Sequence, residues 1–256
     1  MLRQFMPEAF IADDARQVDA ASLALLYRAV AAAQATQPND EGLERQLQIL
    51  ALLRVRGQAT ANQLNDAGDA LLHAHRIEEA RQRLAEGSHP EWLAWLRFDD
   101  HLGAGEHGPT LWTLDDSGTV MQRRAIDLGP TQILVTAGRH FSADAARAIA
   151  AAPALGPVFR RHALWLTPPP SSEDITALRS WNRSHPHIPL HPLYDAAEWP
   201  LLPHPWVMPT FLLVRDGQVR AQLQGWPTDD RAQLRALKSM LRAAGLLTQP
   251  QHTPRA

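Results

Sequence analysis

The hydrophobic positions of this chain change their period near residue 103. From Asp14 to about Leu102 they recur every three or four residues, as Val18, Leu25, Leu26 and Val30 and then Leu43, Leu47, Leu50 and Leu53. That is the spacing of helices with one buried face. Asn39-Asp40 separates the first two helices and Gly57 ends the second. A third runs through Leu64, Leu71 and Leu72 with Gly68 inside it, and a fourth covers Ile77 to Leu84 and stops at Gly87. Pro90 suits the first turn of a fifth, holding Trp92, Trp95, Leu96 and Phe98. The expectation is an all-α N-terminal module over residues 1–103.

The stretch Gly103-Ala104-Gly105-Glu106-His107-Gly108-Pro109 favours no regular element and reads as a linker. After it the apolar runs become short and β-branched. Thr110 to Leu114 and Thr119 to Ile126 flank Asp115-Asp116-Ser117-Gly118 as a hairpin, and Ile133 to Thr136 is a strand. Ser142 is expected to cap a helix carried by alanines to Ala152. Ala163 to Thr167 is another strand, and Ser171 with Asp174 opens a helix containing Ile175, Leu178 and Trp181. A loop rich in proline and histidine leads to Met208-Pro209. Pro209 lacks the amide that a ladder needs, which suits a strand's first position. The apolar run that follows turns at Asp216-Gly217, so residues 210 to 224 read as a β-hairpin. Asp229 to Ala244 is a last amphipathic helix, with a flexible tail over 248–256. Strand, helix, strand, helix, hairpin and closing helix call for an α/β domain over 104–247, a mixed sheet flanked by helices.

Composition narrows the chemistry. The 256 residues are 45% apolar and contain no cysteine. Disulfide exchange, thiolate catalysis and cysteine-ligated zinc or iron are excluded at once. A formal net charge of -2, with acids and bases interspersed, supplies no field to gather nucleic acid or an anionic membrane. No run approaches the roughly 18 apolar residues needed to span a bilayer. Ala21 to Ala35 imitates the core of a secretory signal, but Glu8, Asp13, Asp14 and Asp19 precede it and Arg28 interrupts it. These residues leave the compartment open but favour the cytoplasm, with no membrane insertion expected.

The Met208-Pro209-Thr210 hairpin and the order of elements around it resemble the thioredoxin-like superfamily over about Pro109 to Leu246. The introductory hairpin is similar to that of the thiol-disulfide reductases of cytochrome maturation and, more distantly, to peroxiredoxins. The resemblance implies a thioredoxin-like fold, and it leaves a periplasmic location open. It implies a cis Pro209 beside the turn from the first central strand into its helix, where the family carries two cysteines separated by two residues. Arg139-His140-Phe141-Ser142 stands there. Aligning on the helix start puts Arg139 at the nucleophile and Ser142 at the resolving position, and a shift of one residue puts His140 at the nucleophile. By the same resemblance Met208 would offer its backbone to an extended peptide. The implied function is a redox-inactive binding or scaffold module without cofactor, gripping a protein or peptide partner or a second copy of the chain. The expected site comprises Arg139, His140, Phe141, Ser142, Met208 and Pro209, with no catalytic or metal-ligating residue assigned.

Two other readings use different residues. His140 and Ser142 could serve a cysteine-independent enzyme as base and nucleophile, if an acid oriented the base. His185, His187, His191 and His204 with Asp195 could make a metal carrier, since imidazole ligates copper and zinc. In the helical half, Leu64-Asn65-Asp66-Ala67-Gly68 followed by Arg76-Ile77-Glu78-Glu79-Ala80 and Leu84 resembles one tetratricopeptide unit. No second copy follows, and a packed helical hairpin accounts for the same residues.

Overall fold

A computed structural model describes residues 18–103, 105, 106, 108–227 and 229–247, with only the backbone described for Arg139, His140 and Phe141. These residues form a mixed α/β structure of eight α-helices and two mixed sheets. The expected flexible tail at 248–256 lies outside them. The chain divides into two units, Met1–Trp95 with Ser171–Ile175, and Leu96–Pro170 with Thr176–Ala256.

In the first unit, helices α1 (Ala20–Thr36), α2 (Asp40–Val55), α3 (Ala61–His73) and α4 (Ile77–Glu86) follow one another. Their starts are set by short polar side chains that satisfy first-turn amides. Asp19 accepts from Ser22 N, Asn39 accepts from Gly42 N, and Thr60 with Gln63 forms a reciprocal capping box. Leu23, Tyr27, Val30, Ile49, Leu50, Leu53, Leu64 and Ala67 make the core. The buried Tyr27 hydroxyl donates to Gln63 O at 2.6 Å and accepts from Gln46 Nε2 at 2.9 Å. Gly68 stands inside α3 because α4 approaches closely, and a Cβ there would lie 2.6 Å from Leu84 Cγ. Ser172 is held on both sides: its amide donates to Asp69 Oδ1 at 2.7 Å, and its carbonyl accepts from Trp92 Nε1 at 2.9 Å.

The fifth helix expected after Pro90 is instead a single 3-10 turn at Glu91–Ala94, followed by strand β1 (Arg97–Asp99). Trp92 is buried in that turn. Phe98 packs edge-on against Trp112 at 5.3 Å, and this contact together with pairing to a strand outweighs the helical spacing.

The second unit begins with that strand. β1 pairs in parallel with β3 (Val120–Ala125), which pairs antiparallel with β2 (Thr110–Leu114). Asp115 fixes the hairpin turn, its Oδ1 accepting from the amides of Thr119 and Val120 at 2.8 Å. The larger sheet contains β4 (Gln132–Thr136), β5 (Ala163–Thr167), β6 (Leu190–Pro192), β7 (Thr210–Arg215) and β8 (Gln218–Gln224) in the order β6-β5-β4-β7-β8. β4, β5 and β6 are parallel, while β7 and β8 run antiparallel to their neighbours. Helices α5 (Arg139–Ala151) and α6 (Gly156–His162) connect β4 to β5, α7 (Asp174–Ser184) connects β5 to β6, and α8 (Asp230–Ala243) follows β8.

Alternation along the central strands sends side chains to opposite faces. Ile133, Val135, Phe211 and Leu213 pack with Ala145, Ile149, Phe159, Leu237 and Leu241. Leu134, Leu212 and Val214 pack on the other face with Leu111, Leu193, Trp199 and Leu202. Thr136 and Thr210 end these strands as register partners, both fully buried.

Candidate functional site

The sequence-predicted residues lie at one end of the β4–β7 pair. β4 is apolar and buried up to Thr136. The chain then crosses Ala137, whose amide donates to Leu166 O at 2.7 Å, and enters α5 at Arg139. Gly138 is the N-cap in extended backbone, with no side-chain cap. Ser142 therefore is not the cap expected of it. Its hydroxyl lies within the first turn and accepts from Gly138 N at 2.9 Å. This is the reach-back contact to the cap amide that a Glu or Gln usually supplies. The residue is only 3% exposed. As a nucleophile Ser142 would have to leave a buried bond. Arg139, His140 and Phe141 form the opening turn of α5.

The second half of the site enters β7. Both Met208–Pro209 and His204–Pro205 are cis peptides. Val207 O accepts two hydroxyl donors, Thr136 Oγ1 at 2.6 Å and Thr210 Oγ1 at 2.8 Å. Thr210 N in turn donates to Thr136 Oγ1 at 2.8 Å. Gly225 N donates to Pro209 O at 2.8 Å. Residues 207–210 are thus fastened to the end of β4 and to the strand beyond. Met208 reaches across to the start of α5, where a Cβ on Gly138 would overlap its sulfur. Gly138 has φ of -175°, which any residue adopts, so this contact and not the backbone calls for glycine there.

The structure therefore brings Met208 against Gly138 at the entry to α5, with Pro209 following it into β7. Val207 and Met208 are exposed, Met208 by 40%. Among the described residues the Met208 amide and carbonyl have no hydrogen-bond partner. An exposed residue with both backbone groups open can pair with an added extended segment.

The loop histidines are dispersed. The ring of His185 stacks on Trp181 at 3.9 Å. Asp195 caps the 3-10 turn Ala196–Glu198 by accepting from Ala197 N at 2.8 Å. His191 lies in β6, and burial pushes its pKa down to about 4, leaving a neutral ring whose Nδ1 has no partner. Among the described residues no three His, Asp or Glu side chains converge as metal ligands.

Sequence reasoning missed the most elaborate polar cluster in the unit. Arg123 is buried beside Met121 by strand alternation. Its Nε donates to Thr110 Oγ1 at 3.0 Å, Nη1 to Asp100 Oδ2 at 3.2 Å and Gly103 O at 2.9 Å, and Nη2 to Glu198 Oε1 at 3.1 Å. The Tyr194 ring lies 3.5 Å from the guanidinium. Glu198 Oε2 accepts from the amide and hydroxyl of Thr110 at 2.8 and 2.5 Å. Two carboxylates and a carbonyl already occupy the cation, so the cluster joins the hairpin to the chain after β6 and offers no charge to a ligand. Its only sequence signal was the inward parity of Arg123 with Met121, which does not identify partners 75 residues away.

No helix among the described residues is long and apolar enough to cross a membrane. Comparison with protein-family models, with curated proteins and with solved structures gave no match.

Proposed function

We propose that the second unit is a thioredoxin-like scaffold without sulfur chemistry, and that it serves as a binding module for an extended peptide segment of a protein partner. The observation that carries this reading is the open backbone of exposed Met208, held in place by Thr136 and Thr210 next to the turn into α5. The strand order β6-β5-β4-β7-β8, with the helix-bearing turn after the central strand β4, supports the scaffold. The absence of cysteine removes thiol redox chemistry. Main-chain pairing would give affinity, and Val207 and Met208 would favour apolar side chains on the ligand.

The test is a peptide-array screen with the purified full chain, followed by amide hydrogen exchange on the best binder. A bound peptide should slow exchange at Met208, and Met208→Asp should weaken binding at least about tenfold. If binders protect other strands and leave Met208 unprotected, or if no peptide binds, the assignment is wrong.

A further inference from the structure

At the opposite end of β7 the larger sheet and α8 part to leave a half-open depression of about 410 Å³, lined by Leu213 and Arg215 of β7, Arg220 and Ala221 of β8, and Met240, Ala243 and Ala244 from α8 and its end. Its origin is a change of side-chain volume along the helix. Leu237 and Leu241 are fully buried against the sheet, whereas the last turn presents Ala243 and Ala244. Met240 supplies a flexible, polarizable wall.

The rim is cationic by construction. Arg215 is held by neutral partners, its Nε donating to Thr131 Oγ1 at 2.6 Å and its Nη2 to Ala244 O at 3.0 Å. Its charge is therefore positioned but not compensated by a carboxylate in those bonds. Arg220 is the extra residue of a β-bulge, since Leu213 pairs with Ala221 and Val214 with Val219. Bulges redirect side chains. Its counter-charge is Asp216, at 3.6 Å. Two guanidiniums against one carboxylate leave a net positive mouth over an apolar hollow.

We propose that this cavity binds a small anionic amphiphile, a medium-chain fatty carboxylate, with the chain between Leu213, Ala221, Met240 and Ala244 and the carboxylate between Arg215 and Arg220. Its volume falls within the range of about 300–1,000 Å³ for small-molecule sites. Guanidinium is suited to carboxylate by its fork of donors. The site shares no residue with the Met208 edge, so it stands or falls separately from the peptide-binding reading.

Isothermal titration of the full chain with decanoate, below its micelle-forming concentration, tests the assignment. Saturable one-site binding is expected, with decanol at least about tenfold weaker because it lacks the charge. Ala244→Leu should fill the hollow and weaken decanoate at least about tenfold. Arg220→Gln, at an exposed position that leaves the core untouched, should weaken decanoate and leave decanol unchanged. Absence of saturable decanoate binding, equal affinity for decanol, or wild-type affinity in Arg220→Gln with an unchanged thermal melt would overturn the proposal.

Discussion

Replacing Thr136 by valine removes one hydroxyl from the centre of the Met208 edge with almost no change of shape. That hydroxyl makes two bonds in a fully buried setting, donating to Val207 O and accepting from Thr210 N. Val207 O keeps its second donor, Thr210 Oγ1 at 2.8 Å. The loss on that side should be small. The Thr210 amide loses an acceptor in a place where water does not reach, and a buried unsatisfied donor costs about 1–3 kcal/mol. We expect Thr136→Val to destabilise the second unit by about 2 kcal/mol, measured by urea unfolding. Thr210→Val removes the other donor to the same carbonyl. In the double variant Val207 O has lost both hydroxyls, so the cycle should show a coupling of at least about 0.5 kcal/mol. Amide exchange at Thr210, whose N–H loses its acceptor, should accelerate in step. A cost below about 0.5 kcal/mol with additive single effects would mean that the threonines do not hold the loop.

Three further outcomes follow from the geometry. Arg123→Met leaves the carboxylates of Glu198 and Asp100 without their cation, and a broken buried pair costs about 3–5 kcal/mol. Adding Glu198→Gln should recover part of that loss in denaturant titrations. His191 has its pKa lowered from 6.5 to about 4 by burial, so its contribution is complete above about pH 6.5. It is lost as the pH falls towards 4, by at most about 3 kcal/mol. The stability difference between wild type and His191→Gln should therefore shrink or reverse over that window, and a difference independent of pH would refute it. Gly138→Ala should displace the Met208 thioether at a cost under about 1 kcal/mol, because methionine repacks easily. Peptide affinity should change, and Met208→Ala in the same chain should remove that sensitivity.

Much of the secondary structure was legible because each segment had its own punctuation. Asn39 and Thr60 cap helices, Gly57 at φ +68° ends one, and Asp216-Gly217 turns the last hairpin. What escaped was short or decided by distant partners. α6 has seven residues and begins at Gly156-Pro157, too brief for a helical period to show. β6 has three residues and ends on a proline at a sheet edge. Phe98 looked helical because its spacing from Trp95 is right, and only Trp112 and Met121 across the sheet reveal it as a strand residue. Ser142 had the chemistry of a cap, yet the helix starts three residues earlier and uses the hydroxyl from inside. At the candidate site Met208 and Pro209 could be placed by the proline rule. Thr136 carried no signal, since its role exists only once β4 and β7 lie in register.

The span from Tyr194 to Thr210 is anchored at both abutments. At one, Glu198 and Trp199 bond to Thr110, and at the other Thr136 and Thr210 hold Val207. Prolines at 200, 203, 205 and 209 stiffen what lies between. A strand docking at Met208 would meet a receptor surface already in its bound shape, so the entropy lost on association would fall on the ligand. Selectivity would then reward guests that are themselves extended before they arrive.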